Sequence, residues 1–437
     1  MSNWSPTQII VLVVSAFIGI FATLVFAGII PWFGGSNEFG GEVVMWGDIL
    51  ERDIRPVLDE FNKKHEKEFQ VVYLERRKEN FNNDLVEAIA SGVGPDIILL
   101  PQELILKQEN KIFPIPFDSF SLRGFRDMFV EIGELYVIPD GILGIPLLID
   151  PFVMYWNRDI LSSSGIAIPP KKWDELLVMA PRISKIANDT REVNQSAAAL
   201  GEFSNISNAK AILSSLFLQT GDKISERKED GSLLSVLGEF RSGGISAAES
   251  SIRFYTEFSN PLGRAYSWNR SLPEARRAFI GNTLAMYFGF ASEFDDIVDG
   301  NSHLNFDVAK LPQIRGQAAE KTFATSIAAA VMKTSGNPTT SFRVVFAMLD
   351  KEFLLGLSEA SGLVPSRRDM LLEEDSVDPY VGVFNSSSII GRGWLDPDEE
   401  KTRQIFQNMT ENITSGRQRE NEAVNRARGD LEKLLNQ

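Results

Sequence analysis

The sequence predicts an α/β protein of two lobes behind a single apolar N-terminal segment. Three observations carry this. Strand and helix signals alternate from Glu42 onward, no long linker divides the chain, and an uncharged run from Ile9 to Phe33 precedes both. At about 150 residues per domain, 437 residues make two or three domains.

The apolar run comes first. Ile9 to Ile30 as a helix is about 33 Å long, enough for a hydrocarbon core of about 30 Å. Met1 to Gln8 holds no Lys or Arg, whereas a cleaved signal has a basic n-region and a shorter apolar core. An uncleaved anchor is therefore expected. A cleaved signal ending at Val25-Phe26-Ala27 is the alternative. Gly34, Gly35, Gly40 and Gly41 would form a flexible tether.

The folded part starts with Val43-Val44-Met45-Trp46, an apolar run closed by Gly47-Asp48 and read as a buried strand. Ile54, Val57, Leu58 and Phe61 have helical spacing within 49–64. Phe69 to Leu74 is a second strand, and Phe81 to Ala90 a second helix stopped by Gly92 and Pro95. Asp96 to Leu100 is a third strand. A βαβαβ rhythm predicts a largely parallel sheet with its ligand site outside the carboxyl strand ends, which selects the loops at Asp48 and at Gln102-Glu103. Further on, 171–187, 208–219 and 341–357 read as helices and 284–288 as a strand. The polar stretch 225–235 reads as a surface loop, and the chain from Pro397 as an amphipathic helical finish.

Composition excludes several chemistries. There are 59 acidic against 44 basic residues, a net charge of −15, which disfavours nucleic acid as a partner. Cysteine is absent, so disulfides, thiolate metal sites and a lipid-modified cysteine are excluded. Two histidines far apart, His65 and His303, do not make a multi-histidine metal site. No G-x-S-x-G, H-E-x-x-H or P-loop is present, and Asp295-Asp296 and Glu399-Glu400 are neighbours in sequence rather than facing carboxylates. No catalytic residue, metal or cofactor is expected.

Several segments in order resemble one family. Ala88-Ile89-Ala90-Ser91-Gly92 with Gly94-Pro95-Asp96-Ile97 is similar to "A-x-A-S-G-x-x-P-D-I". Gly141 to Pro146, Asp150 and Met154-Tyr155-Trp156-Asn157-Arg158-Asp159 are similar to "G-x-x-Y-G-I-P…D…L-Y-Y-N-K-D". Gly165-Ile166 with Pro169-Pro170-Lys171-Lys172-Trp173-Asp174-Glu175-Leu176, Phe279 to Met286, Leu311-Pro312 and Gly362 to Arg367 continue the order. Together they resemble the extracellular solute-binding proteins of family 1, the maltose-binding-protein-like subunits of ABC importers. The resemblance implies a periplasmic-binding-protein-like fold, with two discontinuous lobes joined by a hinge. Its segments would be 36–150 and 306–356 for lobe one and 151–305 and 357–437 for lobe two, behind an anchor and tether at 1–35. Two departures stand out. Phe288-Gly289 replaces a frequent "G-x-W", and Thr322-Phe323-Ala324-Thr325-Ser326 replaces a segment where glycines are common.

A sugar site needs flat aromatic faces and planar polar groups. The resemblance places Trp46, Trp156, Trp268 and Trp394 near the cleft. Trp268, in a polar loop beside Tyr266 and Arg270, and Trp394, after Gly391-Arg392-Gly393, are the aromatic candidates on loops. Core packing is the competing reading for Trp46 and Trp156. Asp48, Gln102, Glu103 and Asp150 are hydroxyl acceptors on rim loops or the hinge, with solvated loop residues as the bland reading. Arg264 and Arg270 are the anchors if the ligand is anionic. The implied function is capture of a small solute, an oligosaccharide by preference, and its delivery to ABC permease subunits. The protein would sit on the outer side of the cell membrane by a single-pass helix. A sensor or adhesion domain on the same scaffold, and a tethered carboxylate glycoside hydrolase, are the alternatives.

Overall fold

The computed structural model describes residues 40–187, 189–221, 223–239, 245–372 and 379–436. The expected anchor at 9–33 lies outside them. Among the described residues no helix is long and apolar enough to cross a membrane.

The first strands follow the apolar runs. β1 (Glu42–Gly47), α1 (Glu51–Lys64), β2 (Gln70–Glu75), α2 (Phe81–Ala90) and β3 (Ile97–Pro101) alternate as expected. β1 pairs in parallel with β2, Met45 opposite Tyr73, and with β3, Met45 opposite Ile97. α1 buries Ile54, Leu58 and Phe61, and α2 buries Phe81, Leu85 and Ala88, each at three- and four-residue spacing. Gly92 leaves α2 at φ +72°, a left-handed step that a side chain strains.

The chain continues through β4 (Ile145–Asn157), α3 (Trp173–Ile183), β5 (Val193–Ala198), α4 (Ala209–Gln219), β6 (Ser225–Arg227), β7 (Leu233–Ser235), β8 (Leu284–Phe290), β9 (Phe306–Lys310) and β10 (Thr322–Val331). It ends in α5 (Pro338–Ala347), α6 (Lys351–Ser361), α7 (Pro379–Ile389), α8 (Glu399–Thr414) and α9 (Glu420–Leu435). One mixed sheet of eleven strands runs β2-β1-β3-β10-β4-β8-β5 and on to a short strand at 185–186.

β4 organises the molecule. Its sequence IPLLIDPFVMYWN is almost unbroken apolar, the pattern of a strand covered on both faces, and only Asp150 and Trp156 within it are less than fully buried. Its first half pairs with β10, and its second half with β8 and β9. Two cores therefore form on one strand. Ile145, Leu147 and Leu148 pack with Ile54, Phe61, Val344, Leu357 and Met370. Phe152, Met154 and Tyr155 pack with Trp173, Leu216, Phe279, Val308, Leu311 and Phe406. Asp150, opposite Thr325 of β10, marks the passage between them.

Four readings change. The sheet expected to be largely parallel is mixed, because β10 runs antiparallel to β3 and β4, and β8 and β9 run antiparallel to β4. The segment 225–235 is a β-hairpin, with Leu233 opposite Arg227, rather than a surface loop. The single helix expected over 341–357 is two, because Asp350 takes an extended ψ of 134° and turns its carboxylate to Lys64. The helix expected over 171–187 is shorter; Ser184 turns extended and Lys185–Ile186 joins the sheet edge.

Candidate functional site

A cavity of about 300 Å³ opens where the two cores meet. Strand ends and one loop supply it. Gln102 and Glu103 follow the end of β3, Asp150 lies in β4, Phe290 ends β8, Phe323 and Thr325 lie at the start of β10, and Trp394 follows the strand at 391–392. That short strand pairs with Thr322 and Phe323, so β10 fixes the position of Trp394. Gly393 permits the approach, since a Cβ there would lie 2.9 Å from Gln102 Oε1.

Aromatic groups make up part of the lining. Trp394 stacks on Phe406 of α8, with centroids 6.2 Å apart and planes 14° apart, and its Nε1 donates to Ser214 Oγ of α4 at 3.2 Å. The Lys210 ammonium stands 5.5 Å from the ring centroid and pairs with Asp396. Phe290 and Phe323 meet edge to face at 6.2 Å. The rings are thus held by their neighbours before any ligand arrives.

Polar groups make up much of the rest. Asp150 accepts from Ser292 N at 3.1 Å and from Ser292 Oγ at 2.6 Å. Burial still pushes its carboxyl up to about 7, against those hydrogen bonds. Burial likewise raises Glu103, opposed by the Lys78 ammonium, and raises Asp48, opposed again by Lys78. Glu103, and after it Glu399, Asp48 and Asp150, keep Lys78 charged. Gln102 is buried and donates from Nε2 to Ala324 O at 3.3 Å. Such a mixture of carboxylates, an amide and an ammonium offers hydrogen-bond partners to neutral hydroxyls without imposing one sign of charge.

The structure brings Gln102, Glu103, Asp150 and Trp394 to one cavity. Asp48 does not line it, but is close enough to Lys78 to share its field. Trp46 ends β1 in a buried cluster with Leu100, Tyr136 and Leu395, and the Arg76 guanidinium lies 3.9 Å above its ring. Trp156 is half-buried in β4 with Arg158 over its ring at 5.8 Å. Neither ring lines the cavity.

Trp268 requires correction as a rim candidate, and Arg270 does not line the cavity. Trp268 is 1% exposed, packed in the second core, and its Nε1 donates to Asn205 Oδ1 at 3.1 Å. Its polar neighbours in sequence disguised a core position. Arg270 is paired with Glu202 at 2.7 Å, with Glu411 at 3.9 Å. Trp268→Phe is therefore expected to lower stability by about 1–3 kcal/mol, because Asn205 loses its buried donor. Ligand affinity should not move. Thermal unfolding with and without ligand checks both halves.

Lys78, Lys210, Phe290, Ser292, Phe323, Thr325, Asp396 and Arg403 also line the cavity and had not been singled out as site residues. Phe290 and Phe323 did carry a signal, since they fall in or beside the two segments that depart from the family pattern. Phe288 itself turns inward against Trp173, at 5.2 Å. A second groove, about 330 Å³ between α1 and α6, contains none of the expected site residues.

Residues 48–352 match the family described as bacterial extracellular solute-binding protein. Curated binding proteins of Brucella abortus and Brucella suis are 25% identical over 162 residues, 35% of this chain and 38% of theirs. The match thus spans well under half the length of those relatives. Among solved structures, the fold is similar to a cyclo/maltodextrin-binding protein complexed with maltotetraose, at 16% identity and a TM-score of 0.72 over 92% of this chain and 98% of that one. It is similar too to the cyclic α-maltosyl-1,6-maltose binding protein from Arthrobacter globiformis, at 12% identity and 0.74 over 90% and 98%. An ABC transporter solute-binding protein from Thermotoga lettingae, bound with α-D-tagatose, gives 17% identity and 0.65 over 90% and 100%. At these identities the likeness is one of fold. The family and these relatives are binding proteins, not enzymes. With two cores sharing one long strand and a polar, aromatic cavity at their junction, this chain belongs to the bacterial extracellular solute-binding protein family.

Proposed function

We propose that the protein captures an oligosaccharide between its two lobes and delivers it to the permease of an ABC importer. The apolar run Ile9–Phe33 would tether it to the outer side of the cell membrane. The observation that carries the ligand class is the Trp394 ring, held flat by Phe406 at the cavity beside Glu103, Asp150 and the Gln102 amide. A pyranose offers C–H faces to such a ring and hydroxyls to such acceptors. The similar structure solved with maltotetraose supports the same class, and the one bound with α-D-tagatose, a monosaccharide, supports a sugar more broadly.

On this reading lobe one takes in 40–150 and 322–372, and lobe two 151–313 and 379–436. The later crossings then fall after Gln313 and after Leu372, later than the sequence boundaries at 305 and 356. Val308 and Leu311 pack in the second core, and Leu357 and Met370 in the first.

The test is thermal unfolding of the full chain, in detergent micelles, against a panel of maltooligosaccharides, amino acids, oligopeptides, polyamines and sugar phosphates. A solute at about 100 times its Kd adds roughly 2.7 kcal/mol of stability. A shift with an oligosaccharide alone is expected. A shift only with an anionic solute, or with none, would overturn the oligosaccharide reading.

A further inference from the structure

The hairpin β6–β7 belongs to the second lobe. Ser225 Oγ donates to Leu395 O at 2.7 Å, and Ser235 N donates to Glu432 Oε2 of α9 at 2.5 Å. Its turn end reaches the first lobe. Arg227 Nη2 donates to Glu109 Oε2 at 2.6 Å, and Leu233 packs against the cluster of Trp46, Leu85, Leu100 and Ile105. Two residues before Glu109, Lys107 Nζ meets Asp398 Oδ2 of the second lobe at 3.0 Å.

The short segment 107–109 of lobe one therefore carries a cation and an anion, each matched by the opposite charge on lobe two. The two pairs fix one register and reject a slip that would bring like charges together. The Arg227–Glu109 pair is well sheltered, with side chains 14% and 22% exposed, so solvent screens it less than a surface pair. Neither ion pair involves a residue of the lobe-crossing strands β4 and β10. These contacts act on Leu395 and Asp398, neighbours of Trp394 and Asp396 in the cavity.

We propose that Arg227, Leu233 and the Lys107–Asp398 pair form a clasp that holds the lobes together without a solute. Arg227 and Lys107 are then positioning residues: they set how much of the protein is closed, and apparent affinity scales with that closed fraction. The inference rests on the reading that the lobes close on a solute.

Because the chain contains no cysteine, spin labels can be placed at will. Val93→Cys in lobe one and Leu262→Cys in lobe two use side chains 71% and 94% exposed. Pulsed electron-electron resonance on the solute-free, full-length protein reads the distance between them. One narrow distribution is expected for the parent. Arg227→Ala with Lys107→Ala should broaden it toward longer distances and weaken maltooligosaccharide binding about 3- to 10-fold. The charge exchange Arg227→Glu with Glu109→Arg should restore the parent distances, which a mere loss of folding would not. Unchanged distances in the double alanine variant would overturn the clasp. A distance shift without any oligosaccharide binding would leave the clasp standing and remove the oligosaccharide reading instead.

Discussion

Trp394→Ala should weaken oligosaccharide binding by about 30- to 100-fold, the loss of a central aromatic anchor worth roughly 2–3 kcal/mol. The indole is 4% exposed and lies flat on Phe406, so a ligand meets a ring whose position is already set. Little ordering cost then falls on binding. The same burial means the truncation also opens a hole. Removing a buried Trp side chain costs about 3–5 kcal/mol, a large part of the 5–15 kcal/mol that keeps a typical domain folded. The two effects separate with Trp394→Phe, which keeps a flat, smaller ring over Phe406 and loses the donor to Ser214 together with part of the indole's area. It should recover most of the stability and leave affinity within about tenfold of the parent. Isothermal titration on both variants, at a temperature where circular dichroism shows each folded, is the check. Unchanged affinity in a folded Trp394→Ala protein would remove the ring from the site.

Much of the fold was legible because several of its strands are uniform and short. The runs 43–46, 97–100 and 284–288 are apolar throughout and bounded by Gly, Pro or Asp, so a local window suffices. The same local view misread the hairpin at 225–235. Ser, Glu, Arg and Lys dominate it, and its reason for being ordered is a partner more than a hundred residues away, Glu109. Asp350 broke the expected helix for a similar reason, since its partner Lys64 lies 286 residues upstream. In the site, loop acceptors after β3 followed from the general placement of ligands at strand ends. Trp268 did not, because a polar sequence context says nothing about depth. Asn205, which satisfies its Nε1 and lets it be buried, is distant in sequence. Lys78 was invisible for want of any motif, and only the convergence of Asp48, Glu103 and Asp150 around it gives it meaning.

Asp150→Asn should flatten the dependence of stability on pH and raise stability above pH 7. The carboxyl is pushed up to about 7 in the fold by burial, with Glu293 adding to the effect and Ser292 and Lys78 opposing it. A free aspartate releases its proton near 4. Between those values the folded protein holds a proton that the unfolded chain has lost, so the unfolded state binds fewer protons and stability falls as pH rises. The loss is complete above pH 7 and absent below about pH 4. Its ceiling is about 4 kcal/mol, and solvent reaching the half-buried carboxyl reduces that. Asparagine cannot ionise, yet its oxygen still accepts from Ser292 N and its amide can donate to Ser292 Oγ, so the link between β4 and the turn after β8 survives. The variant should match the parent at pH 4 and exceed it at pH 8, by thermal unfolding over that range. Glu103 and Asp48, raised by the same burial, would leave a residual slope. A slope equal to the parent's between pH 4 and 7 would mean that Asp150 is ionised in the fold throughout. The crossing strand would then carry its charge in the open, and the solute would meet a carboxylate there at every pH.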